Sequence, residues 1–526
     1  MRTPVVSQAG QDKMTSAPHE KWPLLPRAVA LVCLVATLIS CNGASSPSAV
    51  PSPSGAVPLS AADVQQIVQN AAQSVNTPLV VAVSDRAGHI LAVFQTSGAP
   101  ATATGNFGAS VDSNELAVAL ARTAALFSND QAPLSSRTVR FISGIHFPPG
   151  VANAPDADLY AIENTNRGCP LNASFNPGES ISPARSIDGA NTGLGIITGK
   201  LDPKDSDPTS VNPGGVPLFK NGHAVGGIGI AGPSRDIAEF AAFSGASQSG
   251  LLPTAAQLPA PGVVIIGGIA LPFVNQTSLP SGVGPGSGAG TYIVGPFAGS
   301  NPPEGDLVGP ASGTGGLSQS DVSAIISQAV ATAQITRAVI RLPSGSATRM
   351  TIAVTDLDGT ILGLHRMPDS TVFSIDVAVA KARNVIYFSG PSASTDLPGV
   401  PGGTAVTNRT IGFGAQPLFP PGIDGSNLGP FFNLFLADLA HPCTQGSQPA
   451  SANQNGVVFF PGSLPLYKNG VLVGGLGVSG DGVDQDDFVT AAGAAGFEAP
   501  SNIRADQIVD QGVRLPYIKF PQNPTY

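Results

Sequence analysis

The segment Val216-Pro-Leu-Phe-Lys-Asn-Gly-His-Ala-Val-Gly-Gly-Ile-Gly-Ile-Ala-Gly232 returns as Leu464-Pro-Leu-Tyr-Lys-Asn-Gly-Val-Leu-Val-Gly-Gly-Leu-Gly-Val-Ser-Gly480. Lys220 and Lys468 are 468 − 220 = 248 residues apart, so the chain is built from two long copies of one unit. In each copy an Asn-Gly pair, Asn221-Gly222 or Asn469-Gly470, separates two apolar runs. This is the pattern of a tight hairpin whose two central residues need positive φ. The glycines of the second strand lack the spacing of a phosphate-binding loop, and they read as places where another backbone packs closely.

The duplication extends in both directions. Ser60 with Asp63, and Ser318 with Asp321, form capping patterns ahead of apolar residues at helical spacing: Val64, Ile67, Val68, Ala71 in one copy and Val322, Ile325, Ile326, Ala329 in the other. A strand, turn and strand follow, with the turns at Asp85 to Gly88 and Asp356 to Gly359. Next come alanine-rich helices from Ser113 to Phe127 and from Ser374 to Phe388. Regular strand-helix alternation is absent, which excludes a doubly wound sheet. The expectation is an α+β fold of two tandem two-layer modules, each an antiparallel sheet with helices packed on one face.

Domain limits follow. Residues 58–274 form the first module with a Pro/Gly-rich insertion at 128–215, and residues 317–520 form the second with an insertion at 389–462. Residues 275–316 read as a Gly/Pro/Ser-rich linker. At the N-terminus, Lys21 and Arg27 precede the apolar run Ala28 to Ser40, the length of a signal-peptide core and short for a membrane span. Residues 1–40 therefore read as a signal peptide and 41–57 as a polar tether. Leu38-Ile-Ser-Cys41 resembles a lipobox, making Cys41 the expected lipidation site and the bacterial cell envelope the expected location. Two cysteines then remain, Cys169 and Cys443, one per copy, and in an exported protein they are candidates for a disulfide between the modules.

Net charge is −9 with no basic patch, so nucleic acid is not an expected partner. There is no Ser-His-Asp elbow, no His-x-x-x-His spacing and no Cys-x-x-Cys-His, so neither a catalytic residue nor a metal site is assigned and covalent c-type haem is excluded.

Several motifs occur in fixed order: Val-Ala-Val-x-Asp-x-x-Gly-His-Ile-Leu-Ala, Ala-x-Ala-Arg-Thr-Ala-x-x-Phe and Pro-Leu-x-x-Asn-Gly-x-x-Val-Gly-Gly-Ile-Gly. Together they resemble the GlcG/HbpS-like haem-binding family. In the second copy Asp376-Val-Ala-Val-Ala-Lys-Ala-Arg383 keeps the family's Ala-x-Ala-Lys-Ala run, where the first copy has Leu120. The resemblance covers about 59–127, 216–243, 317–388 and 464–492, and leaves the insertions out. It implies a profilin- or roadblock-like fold, pairing of the two modules as an internal pseudo-dimer with scope for further homo-oligomers, and haem as cofactor.

If haem binds, histidine is the usual iron ligand. His89 and His223 stand beside hairpin turns of the first copy and are the candidates, although the second copy has Thr360 and Val471 in their places. Arg122 and Arg383 occupy equivalent positions on the alanine-rich helices and could meet a haem propionate, or pair with Glu115 and Asp376. The expected function is capture of haem or a related small ligand by a lipid-anchored envelope protein without enzymatic activity. A structural or partner-binding protein that has lost the ligand is the alternative, and haem degradation or redox sensing a further one.

Overall fold

The computed structural model describes residues 55–172, 193–207, 209–253, 262–391 and 395–525. The signal segment, Cys41 and most of the tether lie outside the described residues.

The first module runs α1 (Ala61–Ser74), β1 (Val80–Asp85), β2 (Ile90–Thr96), α2 (Ser113–Phe127), α3 (Ser136–Phe141), β3 (Gly215–Lys220), β4 (His223–Ala231) and α4 (Arg235–Gln248). The connecting segment adds β5 (Gly290–Val294) and β6 (Gly305–Val308). The second module continues with α5 (Gln319–Ala333), β7 (Thr351–Thr355), β8 (Ile361–Arg366), α6 (Phe373–Phe388), α7 (Asn408–Gly414), α8 (Phe432–Ala440), β9 (Ser463–Lys468), β10 (Val471–Ser479) and α9 (Val483–Gly493). The sheets are antiparallel with matching orders, β3-β4-β1-β2-β5 and β9-β10-β7-β8-β6. Residues 290–294 and 305–308, read from sequence as part of a linker, thus supply an outer strand to each sheet.

The capping patterns form as their chemistry dictates. Ser60 Oγ accepts from Asp63 N at 3.1 Å while Asp63 accepts from Ser60 N at 2.8 Å, and Ser318 and Asp321 repeat the exchange. Both hairpins turn on Asn-Gly, with φ of 53° and 84° at Asn221-Gly222 and 49° and 78° at Asn469-Gly470.

Helices cover both faces of each sheet, which corrects the expectation of two layers. On β1, Val81 and Val83 face α1 and α4, while Val80 and Ala82 face α2. The physical reason is that β1 is buried at every position and apolar without alternation from Val80 to Val83, the pattern of a sheet buried on both sides. The strand glycines make the second face possible. A Cβ on Gly227 or Gly229 would collide with the carbonyls of Ala121 and Ala117 in α2, and one on Gly475 or Gly477 with those of Ala382 and Ala378 in α6.

The modules share a core. Phe127 at the end of α2 stacks on Phe373 at the start of α6, with centroids 4.1 Å apart, and Val372 N donates to Leu126 O at 2.9 Å. Beside them runs a buried chain of charges. Asp130 lies 3.5 Å from Arg86, Arg86 donates to Asp369 at 2.5 Å, Asp369 accepts from Arg341 at 2.6 Å, and Arg341 also binds Asp481.

The insertions carry a repeat that sequence reading left out. Ser135-Ser-Arg-Thr-Val-Arg-Phe141 and Thr407-Asn-Arg-Thr-Ile-Gly-Phe413 form α3 and α7 with the same capping box. Arg137 pairs with Glu239 and Arg409 with Asp487, at offsets of 409 − 137 = 272 and 487 − 239 = 248. Between the insertions Cys169 and Cys443 are joined in a disulfide, with Cα atoms 5.4 Å apart.

Candidate functional site

The turn that follows the first strand of each sheet meets the arginine of the central helix, so each module has the same station. In the first module Asp85 caps its own turn, accepting from His89 N at 2.9 Å, and its other oxygen lies 2.9 Å from His89 Nδ1. Ser300 closes on that oxygen with its N and Oγ, both at 3.0 Å. Arg122 Nε donates to Gly88 O at 2.6 Å, one residue from the histidine. The hydrogen bond to Asp85 raises the His89 pKa above the usual imidazole value, and burial lowers that of Arg122 to about 10.

In the second module Arg383 Nε donates to Gly359 O at 3.0 Å, and Thr360 replaces the histidine. The rest of the guanidinium is occupied by Asn455 Oδ1 at 2.9 Å, Pro170 O at 3.3 Å and Leu171 O at 2.6 Å. Pro170 and Leu171 belong to the first module's insertion, so a strap from one module closes over the arginine of the other. Asp376 accepts instead from Asn166 N and Asn455 Nδ2, and among the described residues no Arg383–Asp376 ion pair forms. Beside Arg383 opens a cleft of about 390 Å³, walled by Leu357, Ile386 and Tyr387 on one side and the loop from Gln445 to Asn453 on the other. The Tyr387 phenol is pushed up to about 12 by burial and by its 2.5 Å hydrogen bond to Asp396.

The four candidates do not converge on one place. His89 and Arg122 share the first turn; Arg383 lies in the second module. His223 Nδ1 is 2.6 Å from Asp130, on the charge chain between the modules. Among the described residues no cluster of three or more His, Cys, Asp or Glu could hold a metal.

Sequence reading gave no role to Lys381. This fully buried amine binds Asp486 at 2.9 Å and Val478 O at 2.8 Å, and lies 5.0 Å from the centre of the Phe460 ring. Burial lowers the Lys381 pKa and raises Asp486 to about 7. The first module has Leu120 and Ala238 at these positions, and they line a cavity of about 430 Å³. The missing lysine was visible in the sequence; its carboxylate, 105 residues on, was not.

Residues 317–495 match the family model described as "Haem degrading protein HbpS-like". The second module is thus similar to that family. Over 163 residues the chain is 27% identical to the corrinoid adenosyltransferase PduO of Salmonella typhimurium strain LT2, a match covering 31% of this chain. It spans 36% of that relative, about a third of its length. Two solved structures are also similar. The PduOC:heme complex is 22% identical at a TM-score of 0.23, covering 35% of this chain and 97% of that one. Klebsiella pneumoniae ORFY is 19% identical at 0.21, covering 34% and 86%. The HbpS-like match thus takes in α5, both hairpins and α6, with the turn and arginine described above.

Proposed function

We propose that this protein captures haem, or a ligand of that class, at the first module's turn, while the HbpS-like second module serves as its scaffold. The observation that carries the reading is the Asp85–His89 contact beside the buried Arg122. A carboxylate on one ring nitrogen fixes the tautomer and aims the other nitrogen, the arrangement that supports histidine as a metal ligand. His89 would then be the residue to offer a nitrogen to the iron, and Arg122 a cation for the carboxylates of such a ligand. Haem brings a redox-active iron to that place.

The second module's residues do not fit the same task. Its cleft lining contains no His, Cys or Met, the Tyr387 phenol is held in its protonated form, and four of Arg383's N–H groups are already engaged. These features favour the partner-binding reading for this module.

The match to a family described as haem-degrading lies in the second module and supports the ligand class only through the repeat that the first module shares, and the Leu-Ile-Ser-Cys41 motif supports export and anchoring at a bacterial envelope. The first experiment is a hemin titration of the mature chain with Cys41 replaced by Ser. Saturation near one haem per chain, lost in His89→Ala and kept in His223→Ala, is the expected result. A linear, unsaturating Soret response would overturn it.

A further inference from the structure

The strap over Arg383 is fixed at both ends. Cys169 is bonded to Cys443, and Asn172 Nδ2 donates to Asn453 Oδ1 at 2.6 Å. Asn453 in turn donates to Asp358 O at 3.0 Å, on the turn that Arg383 holds. The cleft wall from Gln445 to Asn453 begins two residues after Cys443. One covalent bond therefore fixes both the cover on the guanidinium and the wall of the cleft beside it.

Beneath that cover is a cation with an unusual set of neighbours. Arg383 is 1% exposed, and its acceptors are three backbone carbonyls and one side-chain amide. Among the described residues no carboxylate lies within ion-pair distance of it. Carbonyl oxygens satisfy N–H groups without neutralising the charge, and Asp376 and Asp358 act on it only from beyond ion-pair distance. Two of the three carbonyls come from the strap, so moving the strap would free one N–H on each terminal nitrogen, with Nη1 still held by Asn455, beside a cleft with apolar sides at Leu357, Ile386 and Tyr387 and with Asp358 in its lining. A guanidinium fork so placed suits a planar anionic group on an apolar body.

We propose that the second module holds a closed anion site centred on Arg383, for a carboxylate- or sulfonate-bearing ligand with an apolar body, and that the Cys169–Cys443 bond is its latch. The site does not depend on the His89 reading. Cys443 is partly exposed and Cys169 is 3% exposed, so Cys443 is the side from which a dithiol reductant of the thioredoxin class would attack. Its thiolate bonds to Cys443 Sγ, and Cys169 leaves as a thiolate and takes up a proton. The reductant's second thiol then displaces Cys443. Two electrons pass, the dithiol becomes a disulfide, and the protein gains two thiols.

The test compares the mature chain, with Cys41 replaced by Ser, in its oxidised form, after reduction, and as the Cys169→Ser/Cys443→Ser variant. The probe is the anionic fluorophore anilinonaphthalene sulfonate. Hydrogen exchange in residues 168–172 and 445–453 is expected to rise on reduction, and the probe to bind saturably about tenfold more tightly. Arg383→Gln is expected to lose that gain and Arg383→Lys to keep part of it. Unchanged exchange would overturn the latch, and faster exchange with no gain in probe binding would overturn the anion site. Should Arg383→Gln fail to fold, displacement of the probe from the reduced wild-type chain by benzoate decides: displacement supports the site, and its absence overturns it.

Discussion

Asn164 Nδ2 donates to Asp438 Oδ2 at 2.7 Å, a hydrogen bond from the insertion of one copy to that of the other. Their separation, 438 − 164 = 274, is also that of the bonded cysteines, 443 − 169 = 274. The two insertions are therefore joined by a hydrogen bond and, five residues further along each, by a covalent bond.

Asp438 is buried, which raises its pKa well above the usual carboxylate value, and its other oxygen accepts from Val457 N at 2.9 Å. Asp438→Asn places an amide NH₂ against one of two N–H donors. The expected loss is about 1–3 kcal/mol for the unsatisfied group, measured by denaturant unfolding against wild type.

Replacing both Cys169 and Cys443 with Ser removes a cross-link spanning 274 residues of sequence. The expected cost is about 2–4 kcal/mol, seen as a lower Tm. The oxidised wild type converges on the variant's Tm when reductant is added.

Lys381 and Asp486 form a buried pair where the first module has Leu120 and Ala238. Lys381→Leu strands a carboxylate and is expected to cost about 3–5 kcal/mol, while Lys381→Leu with Asp486→Ala, which installs the first module's residues, costs much less. A double-mutant cycle checks this, and a double variant no more stable than the single one would sink it.

His89 sets a pH dependence of definite sign. Its folded pKa is raised by Asp85, so its ion pair stabilises the fold below the unfolded value near 6.5 and that stability fades as pH rises through the folded value. Ligation of iron needs the neutral ring and runs the other way. Hemin affinity is expected to fall on acidification, beginning above pH 6.5, and His89→Ala to remove this dependence along with the site.

The sequence was most legible where structure is local. Capping boxes, Asn-Gly turns and strand glycines all depend on residues a few positions apart, and each is found as read. The second helical face is not legible from the helices themselves, since the capped helix and the alanine-rich helix of each copy are both apolar enough to pack on one side; the unbroken apolar run Val80 to Val83 is the signal that both faces are buried. The repeat inside the insertions, Arg-Thr with Phe-Pro-Pro-Gly at 147–150 and 419–422, keeps its spacing at an offset of 419 − 147 = 272 but is diluted by unlike residues in between. Arg383's partners were not legible at all. Pro170 and Leu171 offer only backbone carbonyls, which any sequence supplies, and they come from the other module.

The connecting segment and the disulfide together have a topological consequence. Residues 169 to 443 form a closed covalent ring that includes the connector. A single protease cut between β5 and β6, near the exposed Phe297, would open this ring without releasing either half, and each half would keep its five strands. On a denaturing gel such a nicked molecule would travel as one species until its sulfurs were reduced.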